Sequence, residues 1–168
     1  MIGAKPIVAK RPKVAAMNRA LVVGMQSVAD NMLAYFKLTV TTWKHKVKFV
    51  RSVKTSTGRI VSEVMTEDEI YNYVSMGTRP HKIRAKNAPR LVFRGGGFVS
   101  KTIVGGLVPS KGQLASGDWV SKQEVDHPGT EARDFPGTIS KRVAPFFRRR
   151  MELAMKEAGK ASGHSPRG

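Results

Sequence analysis

The sequence predicts an α+β fold: a small antiparallel sheet packed by a long N-terminal helix and a C-terminal helix, with an extended basic arm and loop. Three observations predict it. Apolar residues recur at spacings of three and four near both ends of the 168-residue chain, the period of a helix with one buried face. Short runs in the middle alternate apolar and polar residues, the period of a strand. Clusters of Gly, Pro, Ser and Thr separate those runs as turns do. A chain of this length holds one ordinary domain, and 40% hydrophobic residues supply one modest core.

Residues 1–13 read as a flexible basic arm, because Pro6 and Pro12 discourage helix among its lysines. A single domain over 14–158 follows. Its first helix opens at Val14 or at Asn18, with Asn18 as an N-cap. Leu21, Val22, Met25, Val28, Ala29, Met32, Leu33 and Phe36 share one face, and the β-branched run Thr39-Val40-Thr41-Thr42 ends it. Over 44–54 a strand is expected, with Lys44, Lys46 and Lys48 on one side and Val47, Phe49 and Val53 on the other. Ser56-Thr57-Gly58-Arg59 turns it back into a strand from Ile60 to Met65. Thr66 then caps a short helix, with Glu69 completing a capping box and Gly77 closing the last turn.

Residues 79–88 read as a basic extended loop, and 90–94 as a short strand with Leu91 and Phe93 inward. The stretch 95–117 is a Gly-rich insertion, either mobile or a long hairpin. Residues 119–125 alternate again as one strand. A last helix covers 135–158, with Ile139, Val143, Phe147, Met151, Ala154 and Ala158 near one face and Pro145 as a kink or restart. Residues 159–168 form a disordered polar tail. There is no internal repeat.

Charge is the strongest global signal. Thirty Lys and Arg face twelve Asp and Glu, a formal net charge of +18. Such an excess repels itself in a compact fold unless a polyanion or an acidic partner relieves it. The acids gather in blocks, Glu63–Glu69 and Asp118–Asp134, between long basic stretches, a pattern that suits one basic surface and a separate acidic one. The absence of cysteine excludes disulfides and thiolate metal sites. No secretory signal is read in the first residues. The most apolar window, 21–38, contains Asp30 and Lys37, so no membrane span is expected, and the chain is expected to be made in a cytoplasm.

Candidate chemistry is sparse. The histidines are His45, His81, His127 and His164, and none stands in a helical ligand pair. Glu124, Asp126 and His127 are the nearest approach to a metal-dependent nuclease cluster, against which stands the ordinary reading of a solvated strand edge. No nucleophile elbow occurs, so neither catalytic residues nor cofactors nor metals are expected. Gly95-Gly96-Gly97 does not open a helix as a phosphate loop does, so that signal is weak. Trp43, beside Lys44, and Trp119, with Lys122 three residues on, have two readings, stacking on unpaired bases or packing at the core or rim. Packing is the commoner habit of tryptophan. Lys44, Lys46 and Lys48 in a row cannot enter a core. They form a cationic wall that meets phosphates without reading bases, or a solvated edge. Arg148, Arg149 and Arg150 offer a second such patch.

Two segments carry a resemblance. Tyr73-Val74-Ser75-Met76-Gly77-Thr78-Arg79-Pro80-His81-Lys82-Ile83 resembles a "Y-V-x-x-G-T … H-x-I" box. Val125-Asp126-His127-Pro128-Gly129-Thr130-Glu131-Ala132-Arg133-Asp134-Phe135 resembles a "V-x-H-P-G-T-x-A-x-x-F" box. Both are motifs of a tailed-phage family of neck and tail-completion proteins that includes the lambda minor tail protein Z. Leu91-Val92-Phe93 looks like the family's strand between the boxes, and the likeness spans about residues 14–158.

The resemblance implies a non-enzymatic virion protein, assembled in the host cytoplasm. It would form a ring, hexamer or dodecamer, at the head–tail junction around the DNA channel. Its implied partners are further copies of itself, head-closure and tail-terminator proteins, and genomic DNA held without sequence preference, with no membrane involved. Gly77, Thr78, His81, His127, Pro128, Gly129, Thr130 and Phe135 are the motif residues, read as structural. Pro128-Gly129 makes a tight turn, Thr130 caps with its hydroxyl, Phe135 anchors the last helix, and both histidines bond locally. Two other functions stay open on residues alone. One is a free non-specific nucleic-acid-binding protein, and the other is a metal-dependent nuclease using Asp126 and His127.

Overall fold

The computed structural model describes residues 11, 13–96, 100–110 and 112–163. Most of the expected arm, Gly97, Lys111 and the end of the expected tail with His164 lie outside the described residues. Among the described residues, three helices and six strands follow in the order α1 (Val14–Leu38), β1 (Val50–Ser56), β2 (Arg59–Met65), α2 (Glu69–Met76), β3 (His81–Arg84), β4 (Leu91–Arg94), β5 (Trp119–Lys122), β6 (Glu124–His127) and α3 (Phe135–Ala161). The strands form three two-stranded pairs, β1 with β2, β3 with β6 and β4 with β5. This is the expected α+β class. Among the described residues, no helix is long and apolar enough to cross a membrane. Contacts divide the chain into two compact units, Met1–Asn31 with Arg51–Val64 and Val143–Gly168, and Met32–Val50 with Met65–Arg142.

In the first unit, α1 begins at Val14, and Asn18 lies inside the helix rather than at its cap. The carbonyl of Lys13 accepts from the amides of Ala16 and Met17, while its own N–H donates to Ser162 Oγ at 2.8 Å. Ser162 is buried, so α3 is tied down at its end and runs through Ala161; residues 159–161 are helical, not tail. The helices meet closely at Gly24, where a Cβ would lie 2.8 Å from Met151 Cε and 3.5 Å from Ala154 Cβ. Val28, Ala29, Val143, Ala154 and Ala158 are buried. The β1–β2 hairpin turns through Thr57-Gly58. It is held to α1 by Ser62 Oγ donating to the Met25 carbonyl at 2.8 Å and by Arg51 pairing with Asp30 at 2.6 Å.

The second unit is built around Tyr71, which α2 delivers. Its ring centroid lies 6.4 Å from Phe36, 6.0 Å from Trp43, 5.0 Å from Phe49 and 5.3 Å from Phe135, and the Phe135 ring stacks on it. Tyr71, Phe135, Ile139 and Thr39 are fully buried. Burial pushes the Tyr71 phenol up to about 12, against the opposing effect of the nearby Thr39 hydroxyl.

Two local expectations are corrected here. Residues 44–49 are not strand, because no neighbouring strand pairs with them and β1 starts at Val50. Their alternation survives all the same: Lys44, Lys46 and Lys48 are exposed, Val47 and Phe49 half-buried. Phe49 against Tyr71, and Thr66 Oγ1 donating to the Lys48 carbonyl at 2.9 Å, hold the segment extended. Thr66 does not cap α2, because its hydroxyl accepts from the Asp68 amide at 3.2 Å, ahead of the helix, and not from an amide of the first turn. Asp68 is the N-cap, its Oδ1 accepting from the Tyr71 amide at 2.8 Å.

Between α2 and α3 the chain makes one long interrupted hairpin. The Thr78–Thr130 bridge and the β3–β6 pair, His81 opposite His127 to Arg84 opposite Glu124, share one register. Then residues 85–90 bulge out opposite the single residue Gln123, and β4 pairs with β5 from Leu91 opposite Lys122 to Arg94 opposite Trp119. The expected strand over 119–125 is thus two strands with different partners. The expected loop over 79–88 contains β3, which has little apolar alternation and is joined to β6 by cross-strand charge pairs instead. Beyond Gly95 and Gly117 the tip folds back, burying Thr102, Leu107 and Pro109, with Lys101 Nζ donating to the Thr42 carbonyl at 3.1 Å.

Candidate functional site

The two boxes, far apart in sequence, meet. The amide of Thr78 donates to the Thr130 carbonyl at 3.0 Å, and the Thr130 amide donates back at 3.1 Å; the two hydroxyls lie 3.0 Å apart. Each threonine follows a glycine with positive φ, +76° at Gly77 and +88° at Gly129. A Cβ on Gly77 would sit 2.6 Å from the Thr130 carbonyl oxygen and 2.8 Å from the Ala132 amide. One on Gly129 would collide with the Thr78 carbonyl and lie 2.9 Å from the Arg79 carbonyl carbon. Each box therefore demands glycine because the other box's backbone occupies the space.

The remainder of the second box closes off two helices. The amides of Arg133 and Asp134 donate to the carbonyls of Val74 and Ser75, at 3.3 and 2.9 Å, satisfying acceptors that the last turn of α2 leaves unpaired. Asp134 Oδ1 then accepts from the Gly137 amide at 3.1 Å and caps α3. Thr130, expected from sequence to cap with its hydroxyl, does not cap, since its amide and hydroxyl are engaged with Thr78. Phe135 anchors α3 in the aromatic cluster around Tyr71.

The two histidines stand opposite each other with ring centroids 5.0 Å apart. His81 Nδ1 faces the Arg79 carbonyl at 2.8 Å and donates to it. His127 Nδ1 accepts from the Gly129 amide at 3.0 Å. The neutral rings therefore hold opposite tautomers, each fixed by its own turn. Strand alternation places His127 on the face of β6 opposite to Glu124 and Asp126, so the three do not converge on one ion. Lys82 Nζ pairs with Glu124 at 2.5 Å and reaches Asp126 at 3.6 Å, and Arg84 also pairs with Glu124. Lys82 and then Arg84 hold the Glu124 carboxyl below its ordinary range, and Lys82 is held above its own, first by Glu124.

Lys44, Lys46 and Lys48 are exposed in the second unit. Arg148 and Arg149 are exposed on the part of α3 in the first unit, and Arg150 is half-buried with its Nε enclosed. The lysine row and the arginine run thus belong to different units.

The sequence reading missed one feature and left another open between two readings. The first is a cleft of about 660 Å³ beside the box junction, with Trp43, Ile70, Val74 and Leu114 as apolar walls and His45 and Arg133 among its polar residues. His45 Nε2 lies 2.5 Å from Asp68 Oδ2, and this bond, with the Tyr71 amide, holds the Asp68 carboxyl below its ordinary value. The walls come from segments scattered between 43 and 133, so no linear motif marks the cleft. The second is Trp119. Trp43 packs against Tyr71, as expected of a tryptophan, whereas Trp119 is 66% exposed with the Arg94 guanidinium 5.0 Å over its ring. No composition signal marks it in the sequence, where Asp118 and Val120 are its direct neighbours. No protein-family model, curated protein or solved structure matches the chain.

Proposed function

We propose that the chain is a non-enzymatic structural subunit of a tailed-phage neck or tail, a tail-completion or head–tail-joining protein that assembles as a ring around the DNA channel. The observation that carries this reading is the box junction. The residues that resemble the phage family's motifs, Gly77-Thr78 and Gly129-Thr130, are the ones that this fold uses to lock two remote segments together, and their glycines cannot be exchanged without backbone collision. A motif kept for such a reason marks a fold rather than a reaction, which suits a structural subunit.

Two surface features are in keeping with assembly. Helix α2 leaves Ile70, Tyr73 and Met76 exposed at a spacing of three, an apolar stripe of the kind buried between subunits. The surplus of +18 is relieved where the basic surface lines a path for DNA, by phosphate neutralisation that needs no base contacts. Lys44, Lys46 and Lys48 are the lysines proposed for that wall, since all three are exposed. Charge reversal of the three to Glu is expected to leave the circular dichroism spectrum unchanged and to block joining of heads to tails, scored by electron microscopy of complemented lysates. Normal numbers of joined particles would remove the lysines from the role, and absence of the chain from purified virions would end the reading altogether.

A further inference from the structure

We infer that the β4–β5 ribbon is a binding surface for single-stranded nucleic acid, with Trp119 as the platform on which an unpaired base stacks. The inference goes beyond the assembly reading and stands without it. Strand alternation puts Val92 and Arg94 of β4 and Trp119 and Ser121 of β5 on one face of the pair. All four are exposed, Trp119 at 66% and Val92 at 63%, and no carboxylate is among them.

An exposed tryptophan held in place is unusual, and this one is held. The guanidinium of Arg94 covers one side of the indole at 5.0 Å, a cation–π contact, and the open area of the ring is left for a second planar partner. Arg90, just ahead of β4, is fixed in the same way: its Nε donates to Ser121 Oγ at 2.9 Å and its terminal nitrogen to the Ser121 carbonyl at 3.0 Å. The bulge at 85–90 opposite Gln123 delivers Arg90 to that position. Both arginines are therefore preorganised, which reduces the side-chain entropy lost when they meet a ligand.

The chemistry of the partner follows from the groups. A flat apolar ring flanked by two fixed guanidinium groups matches a chain that alternates planar bases with phosphates, since arginine forks fit phosphate oxygens and bases of any identity stack. Paired bases in a duplex interior cannot reach the ring, so unpaired bases are required. Arg90 and Arg94, with Lys86 and Lys122 nearby in sequence, outnumber the exposed Asp118 carboxylate beside Trp119 and favour this polyanion over a protein surface, although tryptophan and arginine also anchor protein interfaces.

The test uses the full chain and fluorescently labelled oligothymidylate of about 12 nucleotides, within the usual site size for such surfaces, against a blunt duplex of equal length. Wild-type protein is expected to bind the oligothymidylate, and Trp119→Ala to weaken that binding about 5- to 150-fold, the loss of one stacked base. Trp119→Phe is expected to restore most of it. Arg94→Gln should lower affinity and reduce the salt slope by about one. Trp119 is largely exposed, so its removal leaves no cavity, and circular dichroism verifies the fold of each variant. Equal oligothymidylate affinity for wild type and Trp119→Ala overturns the inference, as does absence of wild-type binding. Loss of self-association in Trp119→Ala with oligothymidylate affinity unchanged would assign the ribbon to a protein contact instead.

Discussion

A methyl group on Gly129 has no room, because the Thr78 carbonyl and the backbone of Arg79 and Pro80 fill the place where it would stand. Gly58 offers the natural control: its φ is also positive, at +71°, yet nothing lies within 4 Å of its would-be Cβ. Gly58→Ala carries only the backbone strain of the left-handed region, about 1–2 kcal/mol. Gly129→Ala carries that strain plus a backbone collision, and its loss should reach about 3 kcal/mol or more. Urea denaturation of the two variants measures the difference. Near-equal losses would mean that the two boxes do not press on each other as described. The same comparison gives the physical reason for a glycine directly before each threonine: the carbonyl of the opposite threonine leaves no room for a side chain.

Helix α2 is short, and its start depends on one carboxylate. Asp68 caps the Tyr71 amide and pairs with His45, so Asp68→Ala is expected to cost about 1 kcal/mol, the usual value of an N-cap. The pH dependence has a definite sign. Because the folded-state value of Asp68 is depressed below its ordinary 3.8, its contribution is whole above that pH and is lost as pH falls through the folded value. Thermal scans of wild type and Asp68→Ala should therefore converge in strong acid; a gap that persists there would show that the cap does not act through its charge. The sequence hid this element's true start because Thr66 with Glu69 fits the capping-box pattern, whereas in the fold the Thr66 hydroxyl accepts from the Asp68 amide and Asp68 accepts from the Tyr71 amide.

The same competition between local pattern and remote partner separates what was legible from what was not. The long helices could be read because Val28, Ala29, Ile139 and Val143 repeat at helical spacing and are buried. Lys44 to Phe49 alternate as a strand would, but alternation states only which side is inward, not whether a second strand lies alongside. Conversely, β3 hides because its pairing rests on Lys82, Arg84 and Glu124 rather than on apolar residues. Of the candidate site, the boxes were visible because each is continuous. The cleft and the Arg94–Trp119 face were not, since each is assembled from separate segments.

At the scale of the whole molecule, charge dominates. Its ion pairs join side chains that are largely exposed, and such pairs contribute little each, whereas a surplus of +18 repels across the entire surface. Raising sodium chloride from low concentration to about 0.5 M shortens the screening length to below about 5 Å. The thermal midpoint of the isolated chain is therefore expected to rise. A midpoint that falls with salt would mean that the ion pairs outweigh the repulsion.

The bridge at Thr78 and Thr130 also makes a doorway through which the chain leaves the body of its unit and comes back. Length added far beyond a doorway of this kind stretches only a closed excursion, at about 0.6 kcal/mol for each doubling of a flexible loop, and sends no strain to the threshold. The folded-back end is tied to that body through Lys101 and the Thr42 carbonyl, so the place where added length disturbs nothing is the exposed bulge of residues 86–89, partway along the excursion.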